Sequence, residues 1–144
     1  MSAFDDLLDG FVAQLIAATP VCDRIVTDDD EPLPNGCTQA IVIFPTQAPP
    51  AQLGGISGNP VDWLTEVHVK CYASANSTSA RPLANALANA AYTRLSATPD
   101  LGLGDGVFIG EPRIEWGSER AATRLAATTL IYTVTHRTSG GTLN

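Results

Sequence analysis

Residues 121–137, AATRLAATTLIYTVTHR, decide the fold. The stretch has no Gly or Pro, and its second half is dense in Thr, Ile, Tyr and Val, the make-up of a half-buried strand. Alternation puts Leu130, Tyr132 and Val134 on one face, and Thr129, Thr133 and Thr135 on the other with Ile131 among them. The first set belongs in a core and the second against solvent or a partner. Seventeen residues is long for a strand, whose usual length is about 5–6. A bulge, a bend or an arm leaving the domain body is therefore expected. Residues 138–144, TSGGTLN, read as a mobile C-terminal tail.

Immediately upstream, Gly117-Ser118-Glu119-Arg120 is a turn, and Val107 to Trp116 before it reads as a strand. The two form a hairpin in which Pro112 marks an edge or a bulge. Leu101 to Gly106 is a turn, and Pro99 ends a helix that runs from about Ser79 to Thr98. Its apolar stripe is Leu83, Leu87, Ala91 and Leu95. Ala84, Ala88 and Ala90 make a smooth second surface fit to lie close to a sheet or a neighbouring subunit. Val61 to Ala73 alternates: Val61, Trp63, Thr65, Val67, Val69, Cys71 and Ala73 share one face, and Asp62, Glu66, His68 and Lys70 share the other with Leu64 and Tyr72. That is a strand with one wet face.

Pro45 to Pro60, a Pro/Gly-rich stretch without periodicity, reads as a flexible loop long enough to ask for a partner. Gln39 to Phe44 is a strand apolar on both faces, hence central, and Val21 to Thr27 is a shorter one. Ser2 to Ala18 is an amphipathic helix with Phe4, Leu7, Leu8, Phe11, Val12, Leu15 and Ile16 on one stripe. Ser2 with Asp5 resembles a capping box, and Pro20 stops the helix. The expected fold is α+β: a mixed, mostly antiparallel sheet of four to five strands with two helices packed on one face. Residues 1–137 form one domain of ordinary size.

The chain carries 15 acidic and 8 basic residues, a net charge of −7, which repels nucleic-acid phosphates and argues against dedicated nucleic-acid binding. No apolar run approaches the roughly 18 residues of a membrane span, and the N-terminus is acidic where a signal peptide is basic. The three cysteines, Cys22, Cys37 and Cys71, fit reduced thiols in a cytoplasmic protein.

Patterns that carry chemistry are few. Asp28, Asp29, Asp30 and Glu31 would suggest a calcium loop, but Pro32 and Pro34 stand where its Gly and distal Glu are needed, leaving a solvated acidic turn. His68 and Cys71 lie three apart on a strand, on opposite faces, so one metal does not easily take both. Gly102, Gly104 and Gly106 follow a helix, the reverse of the phosphate-binding order. No nucleophile motif is present, so no catalytic residue, metal or cofactor is expected, and the chain reads as a non-enzyme. Arg120, Arg124, His136 and Arg137 gather cations around the ends of the long strand. They serve either to blunt a sheet edge or to meet the acidic surfaces of other copies.

The amphipathic first helix, the Trp-containing strand Trp63–Ser74, the Ala-rich helix Ala80–Ala97 and the closing Ile131-Tyr132-Thr133-Val134-Thr135-His136-Arg137 are similar in layout to one family. Together they resemble the tail terminator proteins of long-tailed bacteriophages, of the phage lambda type. The resemblance covers most of the chain and rests on layout, without a single diagnostic motif. It implies a hexameric ring that caps the head-proximal end of the tail tube, stops tube polymerisation and presents a surface to the head–tail connector. The implied partners are other copies, the tail tube protein and the connector, and DNA passes through the channel without specific binding. The implied location is the tail or neck of a virion assembled in the host cytoplasm. In that ring Arg120, Arg124, His136 and Arg137 would lie at subunit contacts, and Asp28 to Glu31 would face the channel. Two alternatives share the texture: another neck protein such as a head–tail connector or completion protein, and a small-molecule-binding domain or hydrolase with His68 or His136 in a deep pocket.

Overall fold

The fold is that of a computed structural model, which describes residues 2–27, 38–51, 59–75, 79–104, 106–117, 125–139 and 141–144. Helix α1 spans Ala3–Ile16 and begins as its sequence dictates. The Ser2 hydroxyl accepts from the Asp5 N–H at 3.3 Å, while the Asp5 carboxylate accepts from the Ser2 N–H at 3.0 Å. These bonds hold the Asp5 carboxyl below its ordinary range. The helix buries Leu7, Phe11 and Leu15.

The chain leaves α1 through Ala17 and then Ala18, whose φ is +61°. That left-handed position after a helix end is where Gly is favoured, because any Cβ is strained there. Ala18→Gly is therefore expected to raise stability by about 0.5–1 kcal/mol. Urea denaturation read by circular dichroism would check it, and a lowered midpoint would refute it.

Strand β1 (Ile25–Thr27) pairs parallel with β2 (Gln39–Gln47), and β2 pairs antiparallel with β3 (Val61–Ser74). As its sequence suggests, Ala40 to Ile43 of β2 are buried on both faces. Helix α2 follows at Arg81–Ser96. Next come the short strands β4 (Phe108–Ile109) and β5 (Arg113–Trp116), then β6 (Leu125–Thr138). The six-stranded sheet runs β1-β2-β3-β6, with β4 and β5 both on the far side of β6. It is mixed, with one parallel pairing, and both helices pack on one face. The fold class is the one expected, with one strand more: Pro112 and its neighbours divide the segment 107–116 into two.

The centre of the sheet is the β3–β6 ladder. Fourteen residues of each strand pair in one unbroken register, from Val61 with Thr138 to Ser74 with Leu125. The expected bulge or projecting arm is absent from residues 125–138, all of which are paired in register. The length of β6 is taken up by an equally long partner, the two running about 45 Å at ~3.3 Å per residue. The expected core face is buried: Leu130, Tyr132 and Val134 point into the core, beside Val67, Val69 and Cys71 of β3 and Leu7, Phe11, Leu87 and Leu95 of the helices. On the opposite face Thr133 is exposed as expected, but Thr129 and Ile131 are buried as well.

Two other expectations change. In α2 the sheet-facing residues are Ala84, Leu87, Ala88, Ala91 and Leu95, whereas Leu83 is 42% exposed and Ala90 is exposed. The reason is local: at this end the sheet offers Ala73 and Ala126, and a small Ala84 packs against them with Ala80. The segment 45–60 is in part fixed structure. Residues 45–47 belong to β2 across a register shift, and Pro50 bridges to Trp63. Ala51 N–H donates to Asp62 at 2.7 Å, and Leu64 N–H donates to Pro49 at 2.9 Å. Residues 52–58 lie outside the described residues. At the C-terminus, Thr138 is a buried member of β6, and the Leu143 carbonyl accepts from Ala3 N–H at 2.9 Å.

Candidate subunit interface

The helices leave the other face of the sheet without a covering layer among the described residues. That face carries the half-buried Asp62, Leu64, Glu66, His68, Lys70 and Tyr72 of β3, with Thr133, Thr135 and Arg137 from β6 and Phe44 from β2, and among them Ala40, Val42, Thr129 and Ile131 are buried. Its charges are mostly satisfied locally. Glu66 accepts from Thr46 at 2.9 Å and Gln47 at 3.2 Å and pairs with His68 Nε2 at 3.0 Å. His68, then Thr46, draw its carboxyl below the ordinary range. Lys70 Nζ sits 5.2 Å from the centre of the Tyr72 ring. Arg137 grips Asp62 with two bonds, Nε to Oδ1 at 2.7 Å and Nη2 to Oδ2 at 3.0 Å, and this fork lowers the Asp62 pKa. A face so balanced suits a neutral or mixed protein surface better than a strongly charged one.

The residues singled out from sequence separate here. Asp28, Asp29, Asp30, Glu31, Arg120 and Arg124 lie outside the described residues. Arg137 is at the surface and already paired. His136 is not at the surface: it is 3% exposed, its Nε2 lies 2.6 Å from Thr65 Oγ1, and Phe4 stands edge-on to it at 4.8 Å. Burial lowers its pKa, so it is neutral at neutral pH and supplies no cation in this monomer. His136 and Arg137 share a strand end and face opposite sides of the sheet.

The buried imidazole has a pH signature. Because its folded pKa lies below the unfolded value of about 6.5, stability is complete above that pH and declines as pH falls below it, when only the unfolded chain takes up the proton. The lowered carboxyls of Glu66 and Asp62 add a second loss as pH falls through the carboxylate range. The urea midpoint is thus expected to fall between pH 7.5 and pH 5.5. His136→Gln, which cannot titrate, should flatten that part of the profile; an unchanged slope would remove His136 as its source.

The remaining reactive side chains have structural settings. Cys71 is buried in the core, and burial pushes its thiol up to about 12, the reverse of an activated nucleophile. His68 faces away from it, as the strand spacing required. Among the described residues no group of three or more His, Cys, Asp or Glu side chains is placed to hold a metal. None of the described helices is long and apolar enough to cross a membrane.

Sequence reasoning missed two features. Arg94 of α2 donates to the carbonyls of Gln14, Leu15, Ala17 and Thr19, closing the end of α1. The β4–β5 edge exposes Phe108, Ile114 and Trp116 by 59%, 46% and 57%. The signal for the second was present, since 107–116 is apolar at both parities around a proline.

No protein-family model and no curated protein matches the chain. Among solved structures, the chain is similar to one described as the sheath/tube terminator of an extracellular contractile injection system, PVC, in its extended state. The TM-score is 0.49 at 12% identity, over 98% of this chain and 59% of that one. The chain thus spans well under two thirds of that structure's length.

Proposed function

We propose that this protein is a tail terminator: a structural subunit that closes into a ring, six copies in number, on the head-proximal end of a phage tail tube. The observation that carries the reading is the incompleteness of the sheet. No described helix packs on one of its faces, and among the described residues its outer strand β1 is unpaired on one side. A subunit that leaves one edge and one helix-free face, two unlike surfaces, for other copies fits heterologous contacts repeated round a closed ring. The layout resemblance supplies the tube and the head connector as the surfaces that such a ring separates. Termination is then geometric, because the ring covers the growing end of the tube and offers it no further copy of itself. On this reading Arg120 and Arg124 sit at subunit contacts with Arg137. Asp28 to Glu31 line the channel, where acidic side chains keep passing DNA from adhering.

Native mass spectrometry and negative-stain imaging of the same concentrated sample test this, with and without purified tail tubes. The expected result is a six-membered ring with an open channel, in solution or on one end of the tubes. A protein that stays monomeric and leaves tube ends uncapped would overturn it.

A further inference from the structure

The β4–β5 edge and helix α2 border a cleft made of two neighbouring chambers that share Glu111. The first, about 390 Å³, is walled by Trp116, Ile114, Leu130, Ala88, Pro112 and Tyr92. Asn85 stands at its rim with its Oδ1 fixed by donors from Trp116 Nε1 at 2.9 Å and Thr128 Oγ1 at 2.8 Å. The second, about 310 Å³, lies over Tyr132, between Phe108, Ile109 and Pro99. Glu111 borders both chambers and accepts from the Tyr92 hydroxyl at 2.6 Å.

Two independent observations say what this cleft takes. The outer edge of β5 has no strand beside it among the described residues, so it offers free main-chain donors and acceptors. Ile114 and Trp116, opposite Leu130 and Thr128, turn apolar surface into the cleft where an edge strand is normally blunted by charge. A main-chain edge beside side-chain pockets is the arrangement that reads an extended peptide. The charged group bordering both chambers is the Glu111 carboxylate, whereas Arg113 is occupied with Glu115 at 3.5 Å.

We propose that the cleft between α2 and the β4–β5 edge is a binding site for an extended, apolar and basic segment of another polypeptide. The segment adds to β5 as a further strand and seats a large side chain between Trp116 and Tyr92. It places its cation near Glu111. This goes beyond the ring and does not rest on it.

The test uses the full chain labelled with ¹⁵N, followed by the indole N–H resonances of its two tryptophans. Trp63, which donates to Thr138 Oγ1 on another part of the sheet, is the internal control. The probe is a blocked peptide of about eight residues, long enough at ~3.3 Å per residue to cross both chambers. It alternates Phe or Val with Lys or Thr; a second peptide has Glu for each Lys. The expected result is that the basic peptide moves Trp116 and leaves Trp63, with an affinity about tenfold above the acidic one. Ile114→Lys, at an exposed position, should abolish the shift. The proposal is overturned if neither peptide moves Trp116, or if both bind equally. It is equally overturned if Trp116 shifts with protein concentration alone, which would assign the cleft to a second copy.

Discussion

Phe11→Ala is expected to lower the unfolding free energy by about 3–5 kcal/mol, the cost of removing a fully buried aromatic side chain and leaving a cavity. Phe11 has no exposed surface and meets Tyr132 at a ring separation of 5.6 Å, tilted by 56°. It ties α1 to the central strand, with Leu7 one turn before it and Leu15 one turn after. Buried residues of both helices and of β2, β3, β4 and β6 share that core, so the site collapses poorly. For a domain of this size the loss is a large part of a total near 5–15 kcal/mol. The urea midpoint with an unchanged slope is the measurement; a change below about 1 kcal/mol would mean that α1 does not pack as described.

Arg94→Met is expected to cost about 2–3 kcal/mol, through a different mechanism. The last carbonyls of a helix have no partners within it and lie at the negative end of its dipole. One guanidinium from α2 answers them, with Nη1 at 2.8 Å from Ala17 O, Nη2 at 2.9 Å from Thr19 O, and longer contacts to Gln14 and Leu15. Met keeps the apolar stem and removes every donor, so four carbonyls at part-buried and exposed positions lose charge-assisted bonds, which are worth more than neutral ones. Arg94→Lys restores the charge without the fork and should recover less than half of the loss. Amide exchange gives the sharper reading, because protection should fall first in the last turn of α1. Uniform loss across the sheet would contradict a local clamp.

What could be read from the sequence follows from how local each cause is. The start of α1 is written within four residues, Ser2 to Asp5. The burial of β3 follows from alternation that any pleated strand must obey, and so does that of β6 from Thr133 onward, whereas Thr128 to Tyr132 are buried at both parities. Alternation also reaches His136, which has the parity of Leu130, Tyr132 and Val134 and is buried with them. Its residue type suggested a surface cation, and the pattern was the better guide. The sheet face of α2 was legible only in part, because Ala and Leu compete for it and the opposing Ala73 and Ala126 come from distant strands. Arg94 joins residues more than seventy positions apart, a relation that no periodicity encodes. The same holds for the clefts beside β5, which exist only once α2 and β6 are in place.

The unbroken β3–β6 ladder also fixes the order of events in folding. Its closest pair in sequence, Ser74 with Leu125, is more than fifty residues apart, and every other pair is further. Such contacts are slow to form, because a long loop must close before any of them is gained. The two-sided core of the sheet therefore cannot assemble until β6 has been synthesised. Until then β3 has an unsatisfied margin along all fourteen residues. A nascent chain halted before β6 would expose that margin to aggregation, and a completed one hides it in a single cooperative step.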